Sequence, residues 1–375
     1  MTLQDEINEK VKKIHTDGYP MSIGELISLY RDGELDIHPE FQRIYRWSQH
    51  QKSKFIESIL LGIPIPSIFV SQREDGVWDV VDGLQRLATI FEFVGNLKDE
   101  NGIQKPPSSL LKTKYLPSLE GKLWESNENP ENALTQPQRI SFKRVKIDIK
   151  IVKKESDPSI KYELFQRLNT LGSKLSDQEV RNCLLIMIKP DFFNWIRELG
   201  EYESFLNCIS LADKLIDEQY HLELISRFFI FKNIDVEEYK NREESDLGEF
   251  ITNKMLEYSD PRNFDRDREM RIFKKTFDLL NYILSDSSFK RYNDTKSIFE
   301  GKFLVSAFEA IAIGIGSNIQ GWESREFNEA LKDEIKNRAK SLWSNQIYRD
   351  NSGSGINAGT RIPVIIPLGK NLFRP

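Results

Sequence analysis

Apolar residues recur at Leu3, Ile7, Val11 and Ile14, a spacing that places them on one face of a helix. A turn is expected at Asp17-Gly18-Tyr19-Pro20. Ser22 with Glu25 then reads as a capping box opening a short helix that Gly33 ends. A short strand follows at residues 35–37. Ser48 and Gln51 open a second capped helix, with Phe55, Ile59 and Leu60 turned inward and Gly62 as its stop. Ile63-Pro64-Ile65-Pro66 must be extended, because proline lacks a donor and biases its predecessor away from helix. Residues 67–72 and 77–81 are β-rich runs around Glu74-Asp75-Gly76, which predicts a hairpin. Asp82-Gly83 breaks the second strand, and Leu84, Leu87, Phe91 and Val94 return to helical spacing up to Gly95. Residues 96–136 read as loop. Strict alternation through Val145–Ile151 then predicts a half-buried strand.

Beyond Asp157-Pro158 the character changes. Helical patterns fill residues 159–168, 176–188, 190–199, 213–231, 246–258, 262–284, 302–314 and 324–343, and strand-like alternation returns only in the last dozen residues. The pattern predicts an α+β chain: a small mixed α/β domain over residues 1–155 and an all-helical domain over 156–375. A length of 375 residues fits two such domains.

Charge and composition narrow the function. The net charge is −5 and neither half is basic, so any electrostatic footprint for DNA is local. The best local stretch runs from Arg139 to Lys154, where seven basic residues meet one aspartate. It reads either as a phosphate-binding surface or as the solvated face of a strand. No apolar run approaches the roughly 20 residues of a membrane helix. The mixed-charge start carries no apolar core of a signal peptide, so a cytoplasmic location is expected. Cys183 and Cys208 form no metal-binding spacing, and the four histidines are scattered.

Three stretches could carry chemistry. Asp82-Gly83-Leu84-Gln85-Arg86 sits where a strand turns into a helix. There, free N–H groups and the helix dipole favour an anion, Gly83 permits close approach, and Arg86 offers a charged fork. Asp82 is a candidate for a magnesium-bound water. The alternative is that Asp82 and Gln85 merely cap the helix. Arg86 is expected on the polar side of that helix, so that its loss would spare the fold. The second stretch, Pro39 to Trp47, packs Gln42, Arg43, Arg46 and three aromatics into nine residues. It could clamp phosphates, or its aromatics could simply pack. The third contains Arg167 and Asn169, which precede Gly172 and a helix capped by Ser176 and Glu179. As a helix-turn-helix it is rejected, because the second helix is mostly apolar and offers only Asp177, Gln178, Arg181 and Asn182 near its start. The stretch Gly353 to Arg361 reads as a flexible loop or a flap. No P-loop or dinucleotide fingerprint occurs.

The succession PEFQR-x-YRW, LLGIPIPSIFV, WDVVDGLQRL and LFQRLNTLGSKLSDQEVRN resembles the N-terminal part of the GmrS/GmrD modification-dependent restriction enzymes. That family carries a DGQQR signature on a ParB/sulfiredoxin-like fold. The likeness covers about residues 22–185 and departs from the signature at Leu84. It implies a module that binds and hydrolyses a nucleoside triphosphate with Mg2+ in prokaryotic defence against foreign or modified DNA. Carried over by residue, Asp82, Gln85 and Arg86 would be catalytic, with Asp82 at the metal. Gln42, Arg43, Gly83, Arg167 and Asn169 would hold the nucleotide. Only His221 follows residue 185, so the histidine-rich HNH nuclease of relatives is expected to be absent and cutting to fall to a partner chain. DNA contact is expected to be weak for the chain alone, through Arg139, Lys143, Arg144, Lys146 and Lys150. The competing reading is a non-catalytic DNA-binding or regulatory subunit. A ParB-like nuclease acting alone lacks a visible carboxylate cluster. Convergence of Arg43, Arg86 and Arg167 on one pocket would favour the nucleotide reading.

Overall fold

The computed structural model describes residues 2–11, 15–37, 47–99, 102–156, 176–241, 246–326, 328–353 and 355–375. The chain divides into two compact units, Met1–Leu175 and Ser176–Pro375.

In the first unit, α1 (Leu3–Val11), β1 (Thr16–Ser22), α2 (Ile23–Arg31) and β2 (Leu35–Asp36) are followed by α3 (Gln49–Leu60), β3 (Ile68–Gln72), β4 (Trp78–Asp82), α4 (Leu84–Phe93), α5 (Gln136–Arg144) and β5 (Lys146–Val152). The strands form one mixed sheet in the order β1-β5-β3-β4-β2. The expected hairpin is present as antiparallel β3 and β4, whereas β3 pairs with β5 in parallel and β2 with β4 in parallel. Alternation in β5 places Ile147, Ile149 and Ile151 in a core with Ile68, Val70 and Val80. Ile56, Leu87, Ile90 and Phe91 of the helices belong to the same core. Each such side chain contributes roughly 1.5–3 kcal/mol on burial. Both capped helices form, but only the second has the full box. Ser22 accepts the Glu25 N–H at 3.2 Å, and Ser48 and Gln51 make a full capping box.

Two expectations fail here. Asp17-Gly18-Tyr19-Pro20 is not a turn but the middle of β1, paired antiparallel with β5. The alternating partner strand overrides local turn chemistry, and an edge strand tolerates proline. At Gly18 the backbones lie so close that an added Cβ would meet the Ile149 carbonyl oxygen at 2.8 Å. Between the stretch read as loop and the strand at Val145–Ile151, where no element is expected, residues 136–144 form α5. Its start was signalled by Thr135-x-x-Gln138 with Pro137 in the first turn, and the Gln138 side chain accepts the Thr135 N–H at 2.8 Å. The preceding loop is held by a buried carboxylate. Glu57 of α3 accepts the N–H groups of Tyr115 and Leu116 at 2.9 and 2.8 Å.

The second unit is mainly helical. Its larger elements are α6 (Asp177–Ile188), α7 (Pro190–Gly200), α8 (Tyr220–Asn233), α9 (Leu247–Tyr258), α10 (Arg266–Ile283), α11 (Val305–Ser317), α12 (Glu329–Ser344) and α13 (Ala358–Leu372). It is not purely helical, since Arg291–Asn293 and Ile298–Glu300 pair as an antiparallel ribbon. The run expected at 213–231 is broken at Gln219, whose φ is 55°. The closing segment is a helix rather than a strand, capped by Asn357 on the Thr360 N–H at 2.9 Å despite Pro363 and Pro367 inside it. Close packing explains the override. A Cβ on Gly314 of α11 would lie 2.5 Å from the Gly369 carbonyl oxygen of α13, so glycines let the two backbones nearly touch.

That arrangement also corrects part of the reading of Gly353 to Arg361 as a flexible loop or flap, because the helix begins at Ala358. Arg361 lies in α13 and donates from Nε to the buried Glu309 at 2.7 Å. Arg227 of α8 donates to the same carboxylate at 2.9 Å and to Glu223 at 2.6 Å. Three helices are thus tied by a buried ionic cluster, whose members would each be costly to remove singly. At the start of α6, Gln178, Arg181 and Asn182 are buried. Arg181 donates to Thr252 and to the Gly248 carbonyl at 3.2 Å each, so this turn presents no base-reading face.

Candidate functional site

The strand-to-helix junction is built on one glycine. Gly83 has φ of 100° and is the N-cap of α4, a left-handed position that L side chains adopt at a cost. A Cβ there would also lie 2.8 Å from Ile68 Cγ1, in the core, and 3.3 Å from Arg86 Nη2. No side chain caps α4. The capping box of Asp82 and Gln85 therefore does not form, and the first turn keeps the open, positive end that suits an anion.

Arg86 is not a free fork. Its Nη2 pairs with Asp82 Oδ2 at 2.6 Å, and its Nη1 donates to the carbonyl oxygens of Ser67, at 3.1 Å, and Pro66. The side chain is only 12% exposed, against 40% for Asp82. Arg86 therefore fastens the Pro66–Ser67 entry of β3 to the turn. This corrects the expectation that Arg86 could be removed without cost to the fold. Sequence reasoning missed these carbonyls, because main-chain acceptors leave no signal in residue type. The second oxygen of Asp82 takes no hydrogen bond among the described residues, and the side chain is partly exposed. Gln85 Oε1 accepts the Trp47 N–H at 3.2 Å, and the Trp47 ring meets Phe55 edge-on at 5.4 Å. Its side chain thus ties the chain just before α3 to the first turn of α4.

Residues 23–186 match the model of the GmrSD restriction endonuclease N-terminal domain. This stretch is a GmrSD N-terminal domain. The match indicates a restriction-system component, and the Asp82–Arg86 turn lies inside the matched residues. No curated protein and no solved structure matches the chain.

The remaining candidates within the GmrSD N-terminal domain fall in different places. Gln42, Arg43, Arg167 and Asn169 lie outside the described residues, and with them the question of whether Arg43, Arg86 and Arg167 converge. The basic stretch divides between two elements. Arg139 of α5 is paired with Glu125, and the Lys143 ammonium lies 5.7 Å from the Trp124 ring centroid. Arg144 ends α5 and is exposed. Lys146 and Lys150 point outward from β5 with Asp148 between them on the same face. Lys153 and Lys154 are engaged by Asp17 at 3.2 Å and Glu74 at 3.6 Å. Of the seven basic groups, Arg144, Lys146 and Lys150 make no ion pair or ring contact among the described residues. No cluster of three His, Cys, Asp or Glu side chains is gathered for a metal among the described residues, and none of the described helices is long and apolar enough to cross a membrane. The Cys208 thiol is pushed up to about 12 by burial, which makes it a poor nucleophile.

Proposed function

We propose that the GmrSD N-terminal domain of this chain, on a ParB/sulfiredoxin-like fold, binds and hydrolyses a nucleoside triphosphate with Mg2+ as part of a prokaryotic system against foreign or modified DNA. The observation that carries the reading is the uncapped N-terminus of α4 behind Gly83, with the Asp82–Arg86 pair fixed at its mouth. Phosphate oxygens would meet the free N–H groups of that turn. Magnesium, which usually binds through one or two carboxylates plus phosphates, would use the free Asp82 oxygen and supply charge neutralisation. In this reading Arg86 holds the turn and Asp82 in place. Gln85 orients the chain leading to Gln42 and Arg43, and Arg167 and Asn169 complete the nucleotide's surroundings. DNA would be held weakly and without sequence preference by Arg144, Lys146 and Lys150, assisted by Arg139 and Lys143. Cleavage would come from a partner chain.

A specific observation also favours the second reading, a non-catalytic DNA-binding or regulatory subunit, because every hydrogen bond of Arg86 among the described residues is internal. Thermal unfolding with each nucleoside triphosphate and Mg2+ separates the two. A ligand at about 100 times its dissociation constant adds ~2.7 kcal/mol of stability. Stabilisation by one nucleotide, with phosphate release that Asp82→Asn slows, is expected. No shift with any nucleotide would favour the regulatory subunit.

A further inference from the structure

The helical unit contains a cleft of about 810 Å³ between the start of α7 and the approach to α10. Its size lies within the roughly 300–1,000 Å³ common for small-ligand pockets. Ile188, Pro190, Phe192, Pro261 and Phe264 supply apolar wall. Two cations line it, Lys189 and Arg266, and neither makes an ion pair with a described residue. Arg266 is poised without being satisfied. Its guanidinium carbon sits 4.9 Å from the Phe192 ring centroid, and its Nη2 donates to the Ser259 carbonyl at 3.1 Å. Its Nε is sealed from solvent and has no hydrogen-bond partner. A buried guanidinium N–H without an acceptor is costly and calls for an explanation.

The carboxylates of the cleft do not provide one. Asp265 is spent capping α10, accepting the Arg268 N–H at 3.0 Å. Asp191 and Asp267 lie in the first turns of α7 and α10, where helix dipoles favour them, and are exposed. Those three acids also set the charge of a guest. They oppose a second negative charge, as on a phosphate monoester, and leave one carboxylate able to pair with the outer guanidinium donors of Arg266 beside the Lys189 ammonium.

We propose that this cleft binds a single carboxylate carrying an apolar or aromatic body, with Arg266 as its anchor and Lys189 as a supporting charge. The shared chemistry could come from a free organic acid or from the C-terminus of a polypeptide. The proposal is independent of the nucleotide reading.

The test is calorimetry and ligand-observed NMR on the full chain with N-acetyl-phenylalanine, its amide, phenyl phosphate and an N-acetylated tetrapeptide ending in phenylalanine. The free acid is expected to bind with a dissociation constant of about 1 mM or below, and the amide at least about ten-fold more weakly. Phenyl phosphate is expected to bind more weakly than the acid. Arg266→Lys keeps a cation over Phe192 but removes the guanidinium fork, and is expected to lose about ten-fold with the melting temperature unchanged, while Lys189→Met loses less. A tetrapeptide that binds at least as well as the amino acid assigns the guest to polypeptide termini, and one that fails to bind assigns it to small acids. Three results overturn the proposal: no saturable binding by wild type at about 10 mM, equal binding of acid and amide, or a stable Arg266→Lys protein that binds like wild type.

Discussion

Replacing Arg86 by alanine removes three contacts at once, and the structure fixes how they should be weighed. The pair with Asp82 is short at 2.6 Å, but Asp82 is 40% exposed and regains water when the partner leaves. That part is therefore worth only about 0.2–1 kcal/mol, the range of exposed ion pairs. The bonds to the Ser67 and Pro66 carbonyls come from a side chain only 12% exposed, and hydrogen bonds from charged donors contribute roughly 1.5–3 kcal/mol. Partial rehydration of those carbonyls reduces the total, so a loss of about 2–3 kcal/mol is expected. For a domain of this size that corresponds to a fall in melting temperature of roughly 4–12 °C. Differential scanning calorimetry is the assay, with Arg86→Lys expected to fall between wild type and alanine. A cycle with Asp82→Asn should return a coupling below about 1 kcal/mol, because most of the loss belongs to the carbonyls. An Arg86→Ala protein melting within about 1 °C of wild type would refute this weighing and return Arg86 to a purely ligand-facing role.

Gly83→Ala must place a Cβ against Ile68 at a φ of 100°, so a loss of about 2–4 kcal/mol is expected from left-handed strain plus overpacking, measured by urea unfolding; a neutral substitution would show that the turn has another conformation available. Burial raises the Glu57 pKa, but hydrogen bonds from Thr113, Leu116 and Tyr115 outweigh it and hold the carboxyl below its ordinary 4.5. Its contribution is therefore complete above about pH 4.5 and lost as the pH falls through the lower folded value. Glu57→Gln should flatten that acid-side fall in a pH series of melting curves, and an unchanged profile would assign the acid sensitivity elsewhere. Duplex binding by the full chain should weaken with salt at a log–log slope of roughly −4 to −5, about 0.9 per phosphate, and a Lys143/Arg144/Lys146→Ala variant that keeps the full slope would remove α5 and β5 from the DNA contact.

The elements legible in the sequence are those whose local chemistry and tertiary surroundings agree. Ser48 and Gln51 announce α3, Glu74-Asp75-Gly76 joins β3 to β4, and alternation through Ile147, Ile149 and Ile151 announces β5. The misreadings arise where a distant partner decides. Nothing within Asp17 to Pro20 says strand; only the pairing with β5 does. The last helix carries two prolines and reads as strand until Gly369 is seen against Ala310 and Gly314. Buried charge is equally hidden. Glu309, Arg227 and Arg361 are far apart in sequence and look like surface residues until three helices bring them together.

At the candidate site the residue types were visible in the sequence, but their obligations were not. Asp82, Gly83, Gln85 and Arg86 stand at the strand-to-helix junction, where the pattern places them, yet the geometry separates two roles that the pattern left joined. Because Gly83 itself is the N-cap, the helix end stays open, and because Arg86 is turned back onto Asp82 and the β3 entry, the positive character of the turn comes from N–H groups rather than from a free guanidinium. An anion bound there would be recognised by backbone first, and backbone recognition survives side-chain substitution. It follows that Arg86→Lys, which leaves that backbone in place, should cost stability before it costs affinity. The reverse order would mean that Arg86 leaves Asp82 when the ligand arrives.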